Sequence, residues 1–137
     1  MNKLIISHKK SLIDSMNKFE NNHKGYLLVC NDNEELVGVL TDGDVRRAIL
    51  KGAHLNSIVG DICNKNTISI LFSEGFYKIL ELFLEKEVLF LPVINNDKKI
   101  VNVITKEQFY NVALSSKKIN LLDKLPDCTE FEIAVKP

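Results

Sequence analysis

The protein has 137 residues, of which 45% are hydrophobic, and its 18 basic and 18 acidic residues give a formal net charge of zero. That length and apolar content suit one compact domain or two half-domains that share a core. The absence of a basic excess argues against a general affinity for nucleic acid. No apolar run approaches the roughly 18 residues of a membrane helix, and the N-terminus has too short an apolar core for a signal peptide. The sequence therefore predicts a cytoplasmic protein with no membrane partner.

The three cysteines, Cys30, Cys63 and Cys128, are widely spaced. They form no CxxC pair and no Cys/His cluster, so the sequence predicts neither a disulfide framework nor a metal site. We expect all three thiols to be structural or incidental.

The chain carries an internal duplication. Residues 26–41 align on residues 90–105 without a gap, and a polar turn falls at the same point in both segments. The identical pairs are Leu27/Leu91, Val29/Val93, Asn31/Asn95, Val37/Val101, Val39/Val103 and Thr41/Thr105. Self-similarity of this kind indicates a repeated structural unit.

A short apolar strand opens each copy, at residues 4–6 and 68–70, and an amphipathic helix follows it. Within each helix the apolar residues recur at the spacing of one face, which predicts that this face is buried. These residues are Leu12, Ile13, Met16 and Phe19 in the first copy and Phe76, Tyr77, Leu80, Phe83 and Leu84 in the second.

Two further strands in each copy flank a short polar turn, at residues 32–35 and 96–99, and this pattern favours a β-hairpin. A second helix closes each copy, near residues 44–51 and 107–115. Gly52 is suited to end the first of these helices.

We therefore predict an α/β (α+β) fold of tandem β-α-β-β-α repeats, packed as one pseudo-twofold module with a cleft along its axis. The predicted division is residues 1–60 for the first repeat with its linker, 61–115 for the second repeat, and 116–137 for a C-terminal tail or linker. The apolar spacing near residues 119–125 predicts a short helix, and residues 131–135 alternate like an edge strand. Three roles are open for this tail: it covers the sheet, forms a dimer contact, or leads into a further domain.

The most informative local pattern is the end of the third strand of the first copy. Thr41 ends that strand and Asp44 begins a helix, where free backbone N–H groups and the helix dipole favour a phosphate. The Thr41 hydroxyl adds a donor, and the Asp44 carboxylate can accept two hydrogen bonds from a ribose diol. Gly38 leaves room for a base or for backbone. The alternative is an ordinary turn and N-cap, in which Asp42 or Asp44 caps the helix.

The run Gly38-Val39-Leu40-Thr41-Asp42-Gly43-Asp44 resembles the strand-end signature of CBS domains: a glycine, two apolar residues, a Thr or Ser, two spacers and an Asp. The tandem β-α-β-β-α order, over residues 2–115, is similar to a CBS pair, or Bateman module. The resemblance implies that Thr41 contacts phosphate and Asp44 holds the ribose hydroxyls of AMP, ADP or ATP. The predicted ligand-binding residues are Gly38, Thr41, Asp42, Asp44 and Arg47.

The second copy departs from this signature. Thr105 is retained, but Asn102 replaces the glycine and Gln108 replaces the aspartate. A glutamine amide cannot match a carboxylate as a double acceptor, so we expect at most one good site per chain. Lys106 either offers charge to a phosphate or is simply solvated.

Residues 44–52 resemble the CBS pairs attached to bacterial sugar-phosphate nucleotidyltransferases and to isomerases of the arabinose-5-phosphate type. Arg46 or Arg47 would contact a phosphate or an acidic partner surface, or be solvated. No nucleotidyltransferase glycine-rich loop or catalytic constellation is evident, so we predict a regulatory module without catalysis or cofactor. It would bind an adenine nucleotide in the cleft between the repeats, form a homodimer, and modulate a fused or partner nucleotidyltransferase or sugar-phosphate enzyme. The alternative is a ligand-free homodimer that organises a surface-glycan biosynthetic enzyme.

Overall fold

The computed structural model describes residues 2–115. The tail from residue 116 onward, with its predicted helix and edge strand and Cys128, lies outside the described residues. The chain divides into two compact units, with the boundary between Thr67 and Ile68.

The first unit contains a short 3-10 helix and six further elements. They are 3-10 Asn2–Leu4, β1 Ile5–Ser7, α1 Leu12–Asn22, β2 Tyr26–Cys30, β3 Leu36–Thr41, α2 Asp42–Leu50 and α3 Val59–Ile62. The described part of the second unit repeats the order without counterparts of the 3-10 helix and α3. It contains β4 Ile70–Leu71, α4 Phe76–Glu85, β5 Phe90–Ile94, β6 Ile100–Thr105 and α5 Lys106–Ser115.

The division into residues 1–60, 61–115 and 116–137 stays a prediction. The segment that follows α3 stays with the first unit, because Cys63 packs in its core and Asn64 forms a bridge with Val39 of β3. Backbone hydrogen bonds join Asn64 and Val39 in both directions, at 2.8 and 3.0 Å.

The two units have the same sheet topology. Each has a three-stranded sheet in which the first strand runs parallel and the third antiparallel to the central strand. Leu28 lies opposite Val39 in the first hairpin, and Pro92 lies opposite Val103 in the second. The registers match at every position that is paired in both units, down to an irregularity at the end of each central strand. This confirms the mixed α and β architecture read from the duplication.

Each hairpin is closed by an asparagine that binds its own turn. The side-chain oxygen of Asn31 accepts hydrogen bonds from the backbone of Asn33 and Glu35, at 2.9 and 3.0 Å. Asn95 does the same in the second unit. Bonds of this kind satisfy turn N–H groups that lack a strand partner, so the polar turn is the reason the strands reverse here.

Separate hydrophobic cores lie within the two units. The first is aliphatic and consists of Ile6, Leu12, Leu27, Val29, Leu40, Val45, Val59 and Cys63. The second is rich in phenylalanine and consists of Ile70, Phe76, Ile79, Phe83, Leu91, Val93, Ile104, Phe109 and Ala113.

The buried faces of α1 and α4 are narrower than their apolar spacing predicted. In α1 the buried residues are Leu12 and Ser15, while Ile13 and Met16 are 36% and 39% exposed. Ser15 fits an apolar interior because its hydroxyl donates to the Leu12 carbonyl at 2.6 Å, which satisfies its polar atom. In α4 the buried residues are Phe76, Ile79 and Phe83, whereas Tyr77 and Leu84 are exposed.

Helix α1 begins with a capping box. The Ser11 hydroxyl oxygen accepts from the Asp14 N–H, and the Asp14 carboxylate accepts from the Ser11 N–H and hydroxyl, at 3.2 and 3.0 Å. These bonds from the Ser11 backbone and then its side chain hold the pKa of Asp14 below its usual value.

The Asp14→Asn variant is expected to be less stable than the wild type at neutral pH, and this difference should shrink as the pH falls below about 4, the ordinary pKa of an aspartate. The contribution of a carboxylate with a lowered pKa is present above its unfolded pKa and is lost as the pH falls through its folded pKa. Urea unfolding of both proteins across this range measures the difference in free energy of unfolding. A difference that does not change with pH would contradict the assignment.

Candidate ligand site at the start of helix α2

Helix α2 starts one residue after strand β3 ends, and Thr41 is its N-cap. The Thr41 backbone is extended (φ −109°, ψ 162°), and its hydroxyl oxygen accepts from the Asp44 N–H at 3.1 Å. The Asp44 carboxylate oxygen Oδ2 accepts from the Thr41 N–H at 2.9 Å. The two residues thus form a capping box. The helix begins at Asp42, two residues earlier than predicted. Its N-cap is Thr41, not Asp42 or Asp44.

Fewer N–H groups remain for an anion at this helix end than sequence reasoning assumed. The Asp42 N–H donates to the Gly25 carbonyl at 3.0 Å, and the Asp44 N–H is used in the cap. Among the described contacts, the Gly43 N–H is then the first-turn donor that takes part in neither of these two hydrogen bonds. Two aspartates in the first turn suit the helix dipole but oppose a phosphate. A phosphate here would therefore depend on cationic side chains.

The second oxygen of the Asp44 carboxylate pairs with an arginine one turn along the helix. Oδ1 accepts from Arg47 Nη2 at 2.9 Å. The Asp44 side chain is 24% exposed, whereas that of Arg47 is 63% exposed. Asp44 is therefore held in place by the cap, while the side chain of its arginine partner is largely exposed to solvent.

A groove of about 420 Å³ lies beside α2, a volume within the range of small-molecule sites. Asp44 and Arg47 line this groove, and so do a second oppositely charged pair, Lys51 and Asp61, and several small or apolar residues. Its lining residues are Asp44, Arg47, Ala48, Lys51, Ala53, Asp61 and Ile62. The groove thus combines an apolar surface with a fixed carboxylate and two cationic side chains.

The structure separates the predicted ligand residues. Asp44 and Arg47 line the groove, and Thr41 is joined to Asp44 through the cap. Asp42 does not line it, since its carboxylate pairs with Arg46 at 3.3 Å on a surface where both side chains are about two-thirds exposed. An exposed pair of this kind contributes about 0–1 kcal/mol.

Gly38 is needed for a close approach of the chain to itself. A Cβ atom there would lie 2.7 Å from the Asn64 carbonyl oxygen and 2.8 Å from the Cys63 sulfur. The sequence predicts that Gly38 leaves room for a ligand base or for backbone. The structure places backbone beside this glycine. A contact between Gly38 and a ligand stays a prediction.

Replacing Gly38 with alanine is expected to lower the free energy of unfolding by about 1–3 kcal/mol, because the added methyl overpacks a fixed backbone contact. Chemical denaturation measures this. The matched variant is Gly38→Ala with Cys63→Ala, which removes the contact with Sγ but leaves the 2.7 Å contact with the Asn64 carbonyl. The double variant should not recover the wild-type denaturation midpoint. A wild-type midpoint for Gly38→Ala alone would show that the Cys63–Asn64 segment moves aside at little cost.

The two described cysteines fit a structural role. Burial raises the pKa of the Cys63 thiol, and the nearby Asp44 and Asp61 carboxylates add to this. Burial and Glu34 raise the pKa of the Cys30 thiol. A raised pKa leaves little reactive thiolate at neutral pH, so neither sulfur is set up as a nucleophile.

The second unit keeps the cap and changes its chemistry. The Thr105 hydroxyl accepts from the Gln108 N–H at 3.0 Å, and Gln108 Oε1 accepts from the Thr105 N–H at 3.0 Å. An amide oxygen therefore replaces the carboxylate in the same capping position. The positions that align with Gly43 and Arg47 hold Glu107 and Asn111, so the second unit lacks the ion pair of the first.

The other lining residues were not identified from the sequence. Ala48 and Lys51 follow Asp44 and Arg47 at helical spacing, which places them on one side of α2, so this spacing was a usable signal. Ala53 lies in the connection between α2 and α3, and Asp61 and Ile62 belong to α3. No local pattern linked these residues to the motif.

Within residues 2–115, no group of three His, Cys, Asp or Glu side chains is arranged to hold a metal ion. The helices of this described part are all too short or too polar to cross a membrane.

The CBS domain family model matches residues 1–51 and 59–114. The chain belongs to the CBS domain family. The first match lies within the first unit, and the second begins at residue 59, in α3, and covers nearly all of the described part of the second unit. The protein therefore contains a CBS pair, and the resemblance seen in the motif is confirmed.

Solved CBS structures have the same fold. CBSX2 in complex with AMP is 25% identical, with 82% of this chain and 88% of that chain covered and a TM-score of 0.71. The CBS domain protein PAE2072 from Pyrobaculum aerophilum, complexed with AMP, is 16% identical, with 77% and 81% covered and a TM-score of 0.67. The second likeness concerns the fold alone.

Curated relatives are longer proteins. Arabinose 5-phosphate isomerase GutQ of Salmonella typhi is 26% identical over 104 residues, which are 76% of this chain and 32% of the relative. An uncharacterised protein of Helicobacter pylori is 33% identical over 113 residues, 82% of this chain and 34% of the relative. This CBS pair thus spans about a third of the length of the curated relatives it matches.

Proposed function

We propose that the first CBS repeat binds an adenine nucleotide (AMP, ADP or ATP) in the groove beside α2, and that binding regulates an associated sugar-phosphate or sugar-nucleotide enzyme in the cytoplasm. The observation that carries this proposal is the Asp44 carboxylate, fixed by the Thr41 cap on the wall of a 420 Å³ groove. A part-buried carboxylate suits a ribose diol.

The remaining lining residues suit the other parts of a nucleotide. Ala48, Ala53 and Ile62 offer apolar surface to a base. Arg47 and Lys51 bring positive charge for a phosphate. The Thr41 hydroxyl accepts one bond in the cap and retains its own proton to donate to a phosphate oxygen.

The relatives support both halves of the proposal. AMP is bound by the CBS pair protein CBSX2, which has this fold and is 25% identical. The GutQ isomerase acts on a sugar phosphate and contains the matching segment within a longer chain. The CBS pair would therefore act without catalysing a reaction, on a sugar-phosphate isomerase or nucleotidyltransferase that is fused to it or bound by it.

Calorimetric titration of the full chain with AMP, ADP, ATP and a sugar nucleotide tests the proposal. Saturable binding of at least one adenine nucleotide is expected, with a stoichiometry of at most one per chain because Gln108 replaces the carboxylate in the second repeat. The absence of binding by a folded protein would overturn it.

An alternative function, a ligand-free homodimer that organises a surface-glycan enzyme, has support from exposed apolar residues. Ile13 and Met16 of α1 are 36% and 39% exposed, and Leu55 and Ile58, which run beside the start of α1, are 48% and 40% exposed. Such patches mark interaction sites when they are contiguous. Light scattering of wild type and Met16→Glu tests this, and a monomer at high concentration would count against it.

A further inference from the structure

The Asp44–Arg47 ion pair occupies the oxygen that a ribose diol needs. Asp44 Oδ2 is held by the Thr41 N–H, and Oδ1 accepts from Arg47 Nη2 at 2.9 Å. A diol binds a carboxylate best through both oxygens, so it meets the guanidinium at Oδ1. Each carboxylate oxygen offers two lone pairs, and the ligand competes with Arg47 for those of Oδ1.

Gly43 provides the space in which this arginine lies. A Cβ atom at Gly43 would be 3.0 Å from Arg47 Nη1 and 3.2 Å from Nη2. The guanidinium therefore rests against the first turn of α2, directly beside the carboxylate. Both features are specific to the first repeat, since the aligned positions of the second hold Glu107 and Asn111.

We propose that Arg47 is a specificity-determining residue that makes binding at this groove depend on a ligand phosphate. The proposal rests on the proposed nucleotide site. In the free protein Arg47 covers Asp44, and a nucleoside must displace it without offering a new partner. A nucleotide displaces it as well, but its phosphate accepts the released guanidinium through charge-assisted hydrogen bonds.

The energies involved favour such an exchange. The Arg47 side chain is 63% exposed, and exposed ion pairs are worth little, so the guanidinium leaves Asp44 at low cost. The charges of the groove are balanced, with Arg47 and Lys51 against Asp44 and Asp61. Without Arg47 the groove would carry an excess of negative charge, which disfavours a phosphate and leaves an uncharged nucleoside unaffected.

Calorimetry with AMP and with adenosine tests this in wild type and Arg47→Gln. Wild type is expected to bind AMP more tightly than adenosine. Arg47→Gln should lower the AMP affinity about tenfold and leave the adenosine affinity equal or higher, so that the preference for AMP collapses. The matched control is Arg46→Gln, because Arg46 pairs with Asp42 and lies outside the groove; it should leave both affinities unchanged.

Gly43→Ala provides a second, independent variant. Its methyl would lie 3.0 Å from Nη1, so it should shift the guanidinium and weaken the bond to Asp44. The fold should be kept, because alanine favours a helix over glycine. The preference for AMP over adenosine should therefore fall in this variant too, with no loss of thermal stability.

Two results would overturn the inference, and they differ from each other. Equal weakening of AMP and adenosine by Arg47→Gln, or no change in either, would overturn it while leaving the nucleotide site in place. Failure of wild-type protein to bind adenosine or any of AMP, ADP and ATP would overturn the proposed function and the inference with it.

Discussion

Replacing Asp44 with alanine is expected to weaken AMP binding at least about 100-fold, because two charge-assisted hydrogen bonds to the ribose, each worth roughly 1.5–3 kcal/mol, are lost. The variant also loses the acceptor for the Thr41 N–H, which should lower the free energy of unfolding by about 1 kcal/mol. Calorimetry measures the first effect and urea denaturation the second. The loss of AMP affinity should be far larger than the loss of folding stability can explain.

A conservative variant separates the two roles of this side chain. Asp44→Asn keeps an amide oxygen in the capping position, and the second repeat shows that such an oxygen caps well, since Gln108 Oε1 accepts from Thr105 at 3.0 Å. We therefore expect Asp44→Asn to retain most of the wild-type stability and still to bind AMP poorly. If Asp44→Asn binds AMP as wild type does, the carboxylate is only a helix cap.

The matched control lies in the second repeat. Gln108→Ala removes the equivalent capping bond from α5 and should cost a similar free energy of unfolding. It should leave AMP binding unchanged if the first repeat alone provides the ligand site. Loss of AMP binding in this variant would contradict the assignment of the site to Asp44.

The sequence predicted the repeated elements well because their signals are local and occur twice. The alternation of Leu27 and Val29 and the polar turn at Asn31 recur at Leu91, Val93 and Asn95, and each turn is closed by its own asparagine. Local hydrogen bonds of this type are encoded within a few residues. Element bounds shifted by a residue or two where a cap decided them, as at Thr41.

The candidate site was predicted less completely because its parts are distant in sequence. The spacing of Thr41 and Asp44 revealed the motif but could not distinguish a ligand contact from a capping box, since both need an oxygen at each position. The contact of Gly38 with Asn64 and the contribution of Ile62 to the groove depend on how the segment after α2 folds back. Apolar periodicity likewise overstated the buried faces of α1 and α4, because it does not show which edge of an apolar stripe meets the sheet.

Replacing Phe109 with alanine is expected to lower the free energy of unfolding of the second unit by about 3–5 kcal/mol. The Phe109 ring is fully buried and stacks on Phe76 at a centroid distance of 4.8 Å, with Phe83 at 5.4 Å. Its removal therefore leaves a cavity at the centre of an aromatic cluster that joins α4 to α5, and also forfeits the ring contacts.

Denaturant unfolding of three variants tests this dependence on the aromatic cluster. Phe109→Leu keeps much of the volume and should lose clearly less stability than Phe109→Ala. Asn111→Ala changes an exposed residue of the same helix and should stay within about 0.5 kcal/mol of wild type. A loss below about 1 kcal/mol for Phe109→Ala would show that the neighbouring rings close the cavity. We expect Phe109→Ala to be far less stable than Phe109→Leu and Asn111→Ala. This order would establish that phenylalanines hold the second repeat together, where the first relies on aliphatic side chains.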